Sequence, residues 1–203
     1  EEVQHHKGME LFGYFDVEHF DPESWVNEYP NPAFSRMTEH DGAWMARILS
    51  QFTPKMVRGL AEMGRFEDPK RTTYLTTVLE GRLEKILARY LTKLSPLSRV
   101  RIDGSHLCAT DLARESGVSQ SLQYAAELTP MGGAPRPLTI TLPFGAEVCM
   151  DVPHVSANAN AENTGNYDVV RIRSSAEGPL DVHLYDLGPT GGFRLAGIER
   201  PSP

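Results

Sequence analysis

The chain has 203 residues, 40% of them hydrophobic and 23% charged, and a formal net charge of -7; that length can bury a core as one domain or as two small ones. An acidic balance with no segregated basic patch argues against a general nucleic-acid or anionic-membrane binder. No apolar run is long enough to span a bilayer and no signal-type segment is visible, while the start at Glu1 rather than Met suggests a processed product or one piece of a longer polypeptide.

Residues 1–37 read as an extended aromatic-Pro arm. Phe12, Tyr14, Phe15, Phe20, Trp25, Tyr29 and Phe34 follow no sustained period and are interrupted by Gly13, Pro22, Pro30 and Pro32. Proline removes a donor and restricts the residue before it, so Tyr29-Pro30-Asn31-Pro32 is expected to be extended or turned. Trp25, Tyr29 and Phe34 are the rings this arm would lay on a partner.

A helical domain is expected over 38–129. Thr38 and Asp41 have capping-box spacing, and Ala43, Trp44, Ala46, Ile48, Leu49 and Phe52 follow at helical intervals, which would bury Trp44. Thr53-Pro54 starts a second helix carrying Met56, Val57, Leu60 and Met63, with Gly64 as a left-handed stop. Asp68-Pro69 opens a third, whose stripe runs from Tyr74 to Leu94 before Ser95-Pro96 ends it. Gly81 inside this helix costs about 1 kcal/mol relative to Ala, so it marks close packing or a bend. A short fourth helix is expected with Thr110 as cap and Gly117 as stop.

The segment "PMGGAPRP", 130–137, reads as a linker into a β-rich domain over 130–203. "PLTITLPF", "YDVVRIRS", "LDVHLYDL" and "GGFRLAGIER" alternate or are β-branched, which suggests a small antiparallel β-sandwich. Further strands would have to come from the Arg99–Tyr124 region or elsewhere. The fold class is therefore α+β, an arm and three-helix cluster followed by a sandwich-like domain.

"FDPESWVNEYPNPAFSRMTEHDGAWMARIL", "DPKRTTYLTTVLEGRLEKILARYL" and the closing "GGFRLAGIERP" together resemble the C-terminal region of large uncharacterised exported bacterial proteins. There a similar arm leads into a helical cluster and a β-rich end. The resemblance implies export, to the periplasm or cell surface, and membership of a longer polypeptide; it implies no activity and no catalytic residues.

Candidate chemistry is sparse. His40 between Glu39 and Asp41 looks like an acid-base cluster, but consecutive helix positions diverge and capping already accounts for Thr38 and Asp41. His5, His6, Glu18 and His19 offer metal ligands without an i, i+4 pair to hold them. The loop "VSANANAENTGNYD" is rich in oxygen, and Asn158, Asn160, Glu162 and Asp168, with Asn163 and Asn166, are candidate calcium ligands, although any exposed turn uses such residues. Cys108 and Cys149, the two cysteines, are either a disulfide suited to an exported protein or two buried thiols. Ser105, His106 and Cys108 are adjacent without implying triad geometry, and there is no nucleophile elbow, P-loop or dinucleotide turn. Arg82, Lys85 and Arg89 share one face of the third helix, either solvated or a docking surface for an acidic partner.

The functional expectation is a non-enzymatic exported structural or docking subunit, its partners being other protein subunits or the rest of a longer chain. A carbohydrate- or calcium-binding β module is the alternative, and a fragment of a hydrolase a third.

Overall fold

A computed structural model describes residues 8–26, 29–120, 122–143, 145–154, 166–175 and 178–201. The chain divides into two compact units, Glu1–Tyr90 and Leu91–Pro203. The first holds a 3-10 turn (Glu10–Phe12) and helices α1 (Pro32–Ser35), α2 (Glu39–Leu49), α3 (Pro54–Glu62) and α4 (Pro69–Leu91). The α+β class is as expected, but the division falls at the end of α4, between Tyr90 and Leu91, rather than at Pro130, because strands begin at Leu97.

Local sequence rules start these helices. At α2, Asp41 N–H donates to Thr38 Oγ1 at 3.3 Å while Asp41 Oδ2 accepts from Thr38 N–H at 2.9 Å, a complete capping box. Thr53 caps α3 through Met56 N–H, with Pro54 in the first turn. The left-handed residue beyond α3 is Arg65, at φ 48°, not Gly64.

Packing then departs from the expected apolar faces. The buried residues of α2 are Gly42, Ala43 and Ala46, whereas Trp44 is 57% exposed. The reason is steric: a Cβ at position 42 would lie 2.4 Å from the Tyr90 ring of α4, so α2 turns its smallest residues inward and its bulkiest outward. In α3 only Val57 and Ala61 are buried; Met56, Leu60 and Met63 are exposed.

The early arm lies on α4. A Cβ at Gly81 would lie 2.7 Å from Val17 Cγ2, so this glycine permits close packing. Arg82 Nε donates to Asp16 O at 2.6 Å, and Lys85 Nζ donates to Val17 O and Phe20 O at 2.6 and 2.8 Å. The Arg82 guanidinium also lies 3.9 Å from the Phe15 ring centroid and 4.5 Å from that of Phe20, cation–π contacts worth on the order of 0.5–2 kcal/mol each.

The second unit contains β1 (Leu97–Asp103), β2 (His106–Asp111), α5 (Leu112–Glu115), β3 (Tyr124–Pro130), β4 (Arg136–Leu138), β5 (Ile140–Thr141), β6 (Glu147–Asp151), β7 (Asn166–Ser174), β8 (Leu180–Asp186) and β9 (Phe193–Glu199). These make two antiparallel sheets, ordered β1-β2-β6-β5 and β4-β3-β7-β8-β9. One apolar cluster joins their inner faces: Leu107, Ala109, Val148 and Met150 from the first meet Leu128, Val170, Ile172, Val182 and Leu184 from the second. The segment 130–137 is not an interdomain linker but the turn and start of the β3–β4 hairpin. "PLTITLPF" likewise is not one strand: β4 pairs with β3, and β5, after Thr139, pairs with β6 in the other sheet. The cap of α5 is Asp111, the last residue of β2, whose carboxylate accepts from Arg114 N–H, rather than Thr110.

Cys108 and Cys149 stand directly opposite each other on β2 and β6 and are joined by a disulfide.

Two outcomes are expected. Gly81→Ala, worth about 1 kcal/mol of added stability on helix propensity alone, will instead lower the unfolding temperature of the helical unit, because the new methyl displaces Val17; a gain would mean that the arm is not seated there. The cysteines are 41 residues apart in sequence, so Cys108→Ser with Cys149→Ser should lower stability by about 2–4 kcal/mol in denaturant unfolding, through the lost loop-closure entropy.

Candidate functional site

The helical unit carries an apolar groove of about 850 Å³. Its floor is α4, through Leu79, Leu83 and Ile86; α2 and α3 supply Met45, Leu49 and Leu60; the arm and α1 contribute Trp25 and Phe34. Helical periodicity explains the floor, since positions 79, 83 and 86 fall on one stripe. Trp25, Phe34, Met45 and Leu60 are 53%, 56%, 44% and 53% exposed, so the rim is a row of large apolar side chains facing solvent. Isolated exposed hydrophobes are ordinary; a contiguous lining of this kind makes the groove a candidate binding surface. Tyr29, the third ring singled out in the arm, is 78% exposed and outside the groove lining.

The charges around the groove are paired within the unit. Arg89 donates to both Glu39 oxygens and lies 3.3 Å from Glu23 Oε2, and these partners hold its guanidinium above its ordinary range. Arg82 and Lys85 are occupied by arm carbonyls, as described above. The face read as a possible docking site for an acidic partner is therefore taken up by the chain's own arm and acidic residues. The TEHD stretch resolves the same way: Asp41 caps α2, its carboxyl held below its ordinary value chiefly by the Thr38 amide, and Glu39 pairs with Arg89.

Of the proposed N-terminal metal ligands, His5 and His6 lie outside the described residues. His19 Nδ1 contacts Asp16 Oδ2 at 3.0 Å, and that hydrogen bond raises its pKa. Among the described residues, His106, Cys108 and Cys149 form the group of three ligand-type side chains with atoms within 4.8 Å of one another. Strand alternation puts His106 and Cys108 on one face, and the register sets Cys149 and Asp151 opposite them, with His106 Nδ1 2.9 Å from Asp151 Oδ1. With the sulfurs bonded to each other, no thiolate is offered there. The Ser105 backbone carbonyl accepts from Val152 N–H.

Of the calcium candidates, Asn158, Asn160, Glu162 and Asn163 lie outside the described residues, while Asn166 and Asp168 are on β7. Asp168 faces inward with Val170 and Ile172 and is 0% exposed, and neither carboxylate oxygen has a hydrogen-bond partner. Asp186, also buried, comes from the adjacent β8. Its Oδ1 accepts from Gly188 N–H at 2.9 Å and lies 2.6 Å from His154 Nδ1, and the His154 ring stacks on Phe193 at 4.6 Å. Burial, and next the Asp186 charge, push the Asp168 carboxyl from 3.8 up to about 6. Sequence spacing cannot signal this pair, because Asp168 and Asp186 meet only through the β7–β8 register.

No helix among the described residues is long and apolar enough to cross a membrane. No protein-family model, curated protein or solved structure matches the chain.

The buried carboxylate makes stability depend on pH with a definite sign. In the unfolded chain Asp168 ionises near 3.8; in the folded chain it keeps its proton up to about 6. The stabilisation is thus complete below the unfolded value and is lost as pH rises through the folded one. In chelator-treated protein the unfolding temperature should fall between about pH 4 and about pH 6, and Asp168→Asn should remove that component of the profile.

Proposed function

We propose that this chain is a non-enzymatic docking subunit whose helical unit receives an amphipathic, apolar-faced helical segment of a partner protein. The observation that carries this reading is the groove between α2, α3 and α4, lined by aliphatic and aromatic side chains and rimmed by Trp25, Phe34, Met45 and Leu60. A volume of about 850 Å³ suits a few large side chains presented at i, i+3, i+4 and i+7, the spacing by which such helices fill grooves.

Charge pairing favours a peptide over a lipid or fatty acid. An anionic headgroup needs a cation, but Arg89 is bridged to Glu39 and Glu23, and Arg82 and Lys85 are held by arm carbonyls. An apolar helix face needs no such anchor. The Cys108–Cys149 disulfide supports an oxidising compartment and so an exported location.

The test uses a synthetic amphipathic helix with leucine at those four positions and, in parallel, a dodecyl fatty acid. The peptide should bind the full chain, and Met45→Glu with Leu60→Glu, both at half-exposed rim positions, should weaken it at least about tenfold, roughly 1.4 kcal/mol, with unfolding unchanged. Binding of the fatty acid alone would make the groove a lipid site, and peptide affinity indifferent to the double substitution would place binding elsewhere; either result defeats the docking reading.

A further inference from the structure

Asp168 is the carboxylate that the fold leaves least satisfied. Asp111 and Asp186 are as deeply buried, yet each accepts a backbone amide, Asp111 from Arg114 and Asp186 from Gly188. Among the described buried carboxylates Asp168 alone has both oxygens without a partner. A lone buried carboxylate is costly enough that such groups are paired, protonated or bound to a metal.

Its surroundings distinguish among these. Asn166 and Asp168 are two apart on β7 and so share the inward face, and the register sets Asn166 opposite Asp186 on β8. Three oxygen-bearing residues therefore share one end of the sandwich's inner face, where the Asp186 charge acts on Asp168. The Asp186 carboxylate is oriented by its contacts with the Gly188 amide and His154 Nδ1. Among the described residues no Lys or Arg pairs with Asp168. A single proton, even one shared with Asp186, cancels only one of the two negative charges, whereas one doubly charged ion would answer both carboxylates together.

We propose that Asp168 and Asp186, with the Asn166 amide oxygen, hold a divalent cation. Carboxylate and amide oxygens without thiolate are the donor set of hard ions, so the ion is of the Ca²⁺ or Mg²⁺ class. It acts structurally, tying β7 to β8 where the two strands carry like charge. The site belongs to the sandwich and stands independently of the groove in the helical unit.

The experiment follows thermal unfolding of the chelator-treated full chain as CaCl₂ or MgCl₂ is added to the order of millimolar, at about pH 7.5 and about pH 5. One of the two ions is expected to raise the unfolding temperature at the higher pH, with a smaller rise at the lower pH where protons compete. The rise should vanish in Asp168→Asn, which removes a buried charge and so folds without the ion, and equilibrium dialysis of the wild-type chain should find one ion per molecule. No rise with either ion, with no ion retained in dialysis, would mean that a proton alone neutralises Asp168 and would overturn the proposal. An equal rise in Asp168→Asn and wild type would place the ion elsewhere and overturn it equally.

Discussion

The helical unit depends on how closely backbone can approach α4. At Gly81 the approaching group is Val17 of the arm, and at Gly42 it is the α4 residue Tyr90 that meets the backbone of α2. Any side chain at either position would occupy space already filled, so both contacts rest on a missing Cβ. Once the arm lies on α4, Arg82 and Lys85 reach the carbonyls of Asp16, Val17 and Phe20, giving partners to groups of an irregular segment. The arm's prolines and aromatic rings thus serve first to build the unit that carries them.

The same constraint produces the groove. A helix that must present Gly42, Ala43 and Ala46 to its neighbour cannot also bury Trp44, Met45 and Ile48, which go to the surface. Three helices with small contact faces and large outward residues leave an apolar channel between them. Its charged neighbours neutralise one another, so it offers shape and hydrophobic area rather than a charge. It is on this combination that the proposed docking of an apolar helix face rests.

The sandwich handles polarity differently. Its outer charges are paired across strands, as Arg171 is with both oxygens of Asp181 and Arg173 with Glu127, and its two cysteines are joined where facing strands bring them together. Among the described residues, it is at the end near Asp186 that a charge enters the inner face without an answering group. The contrast between a well-paired exterior and an unpaired interior carboxylate draws attention to Asp168 more strongly than the composition of its neighbouring loop does.

Much of the fold was legible because its signals are local. The Thr38–Asp41 box, the Thr53-Pro54 start and the apolar stripe of α4 each lie within a few residues, and alternation marked β7, β8 and β9. Strands were expected from the Arg99–Tyr124 region without being delimited, because β1 is broken by a register shift, β2 is buried along most of its length without alternation and β3 contains Ala125, Ala126 and Glu127, weak strand formers whose identity comes from the partner strand. Aromatic rings and basic residues could be counted in advance, but whether Arg82 faces a partner or the arm, and whether Trp44 is buried, was decided by packing between helices. Asp168 shows the division most plainly. Its residue type and its oxygen-rich neighbourhood are in the sequence, whereas its burial, its lack of any donor and its placement beside Asp186 exist only once β7 and β8 are paired, because contact between residues 18 positions apart is a property of register and not of spacing.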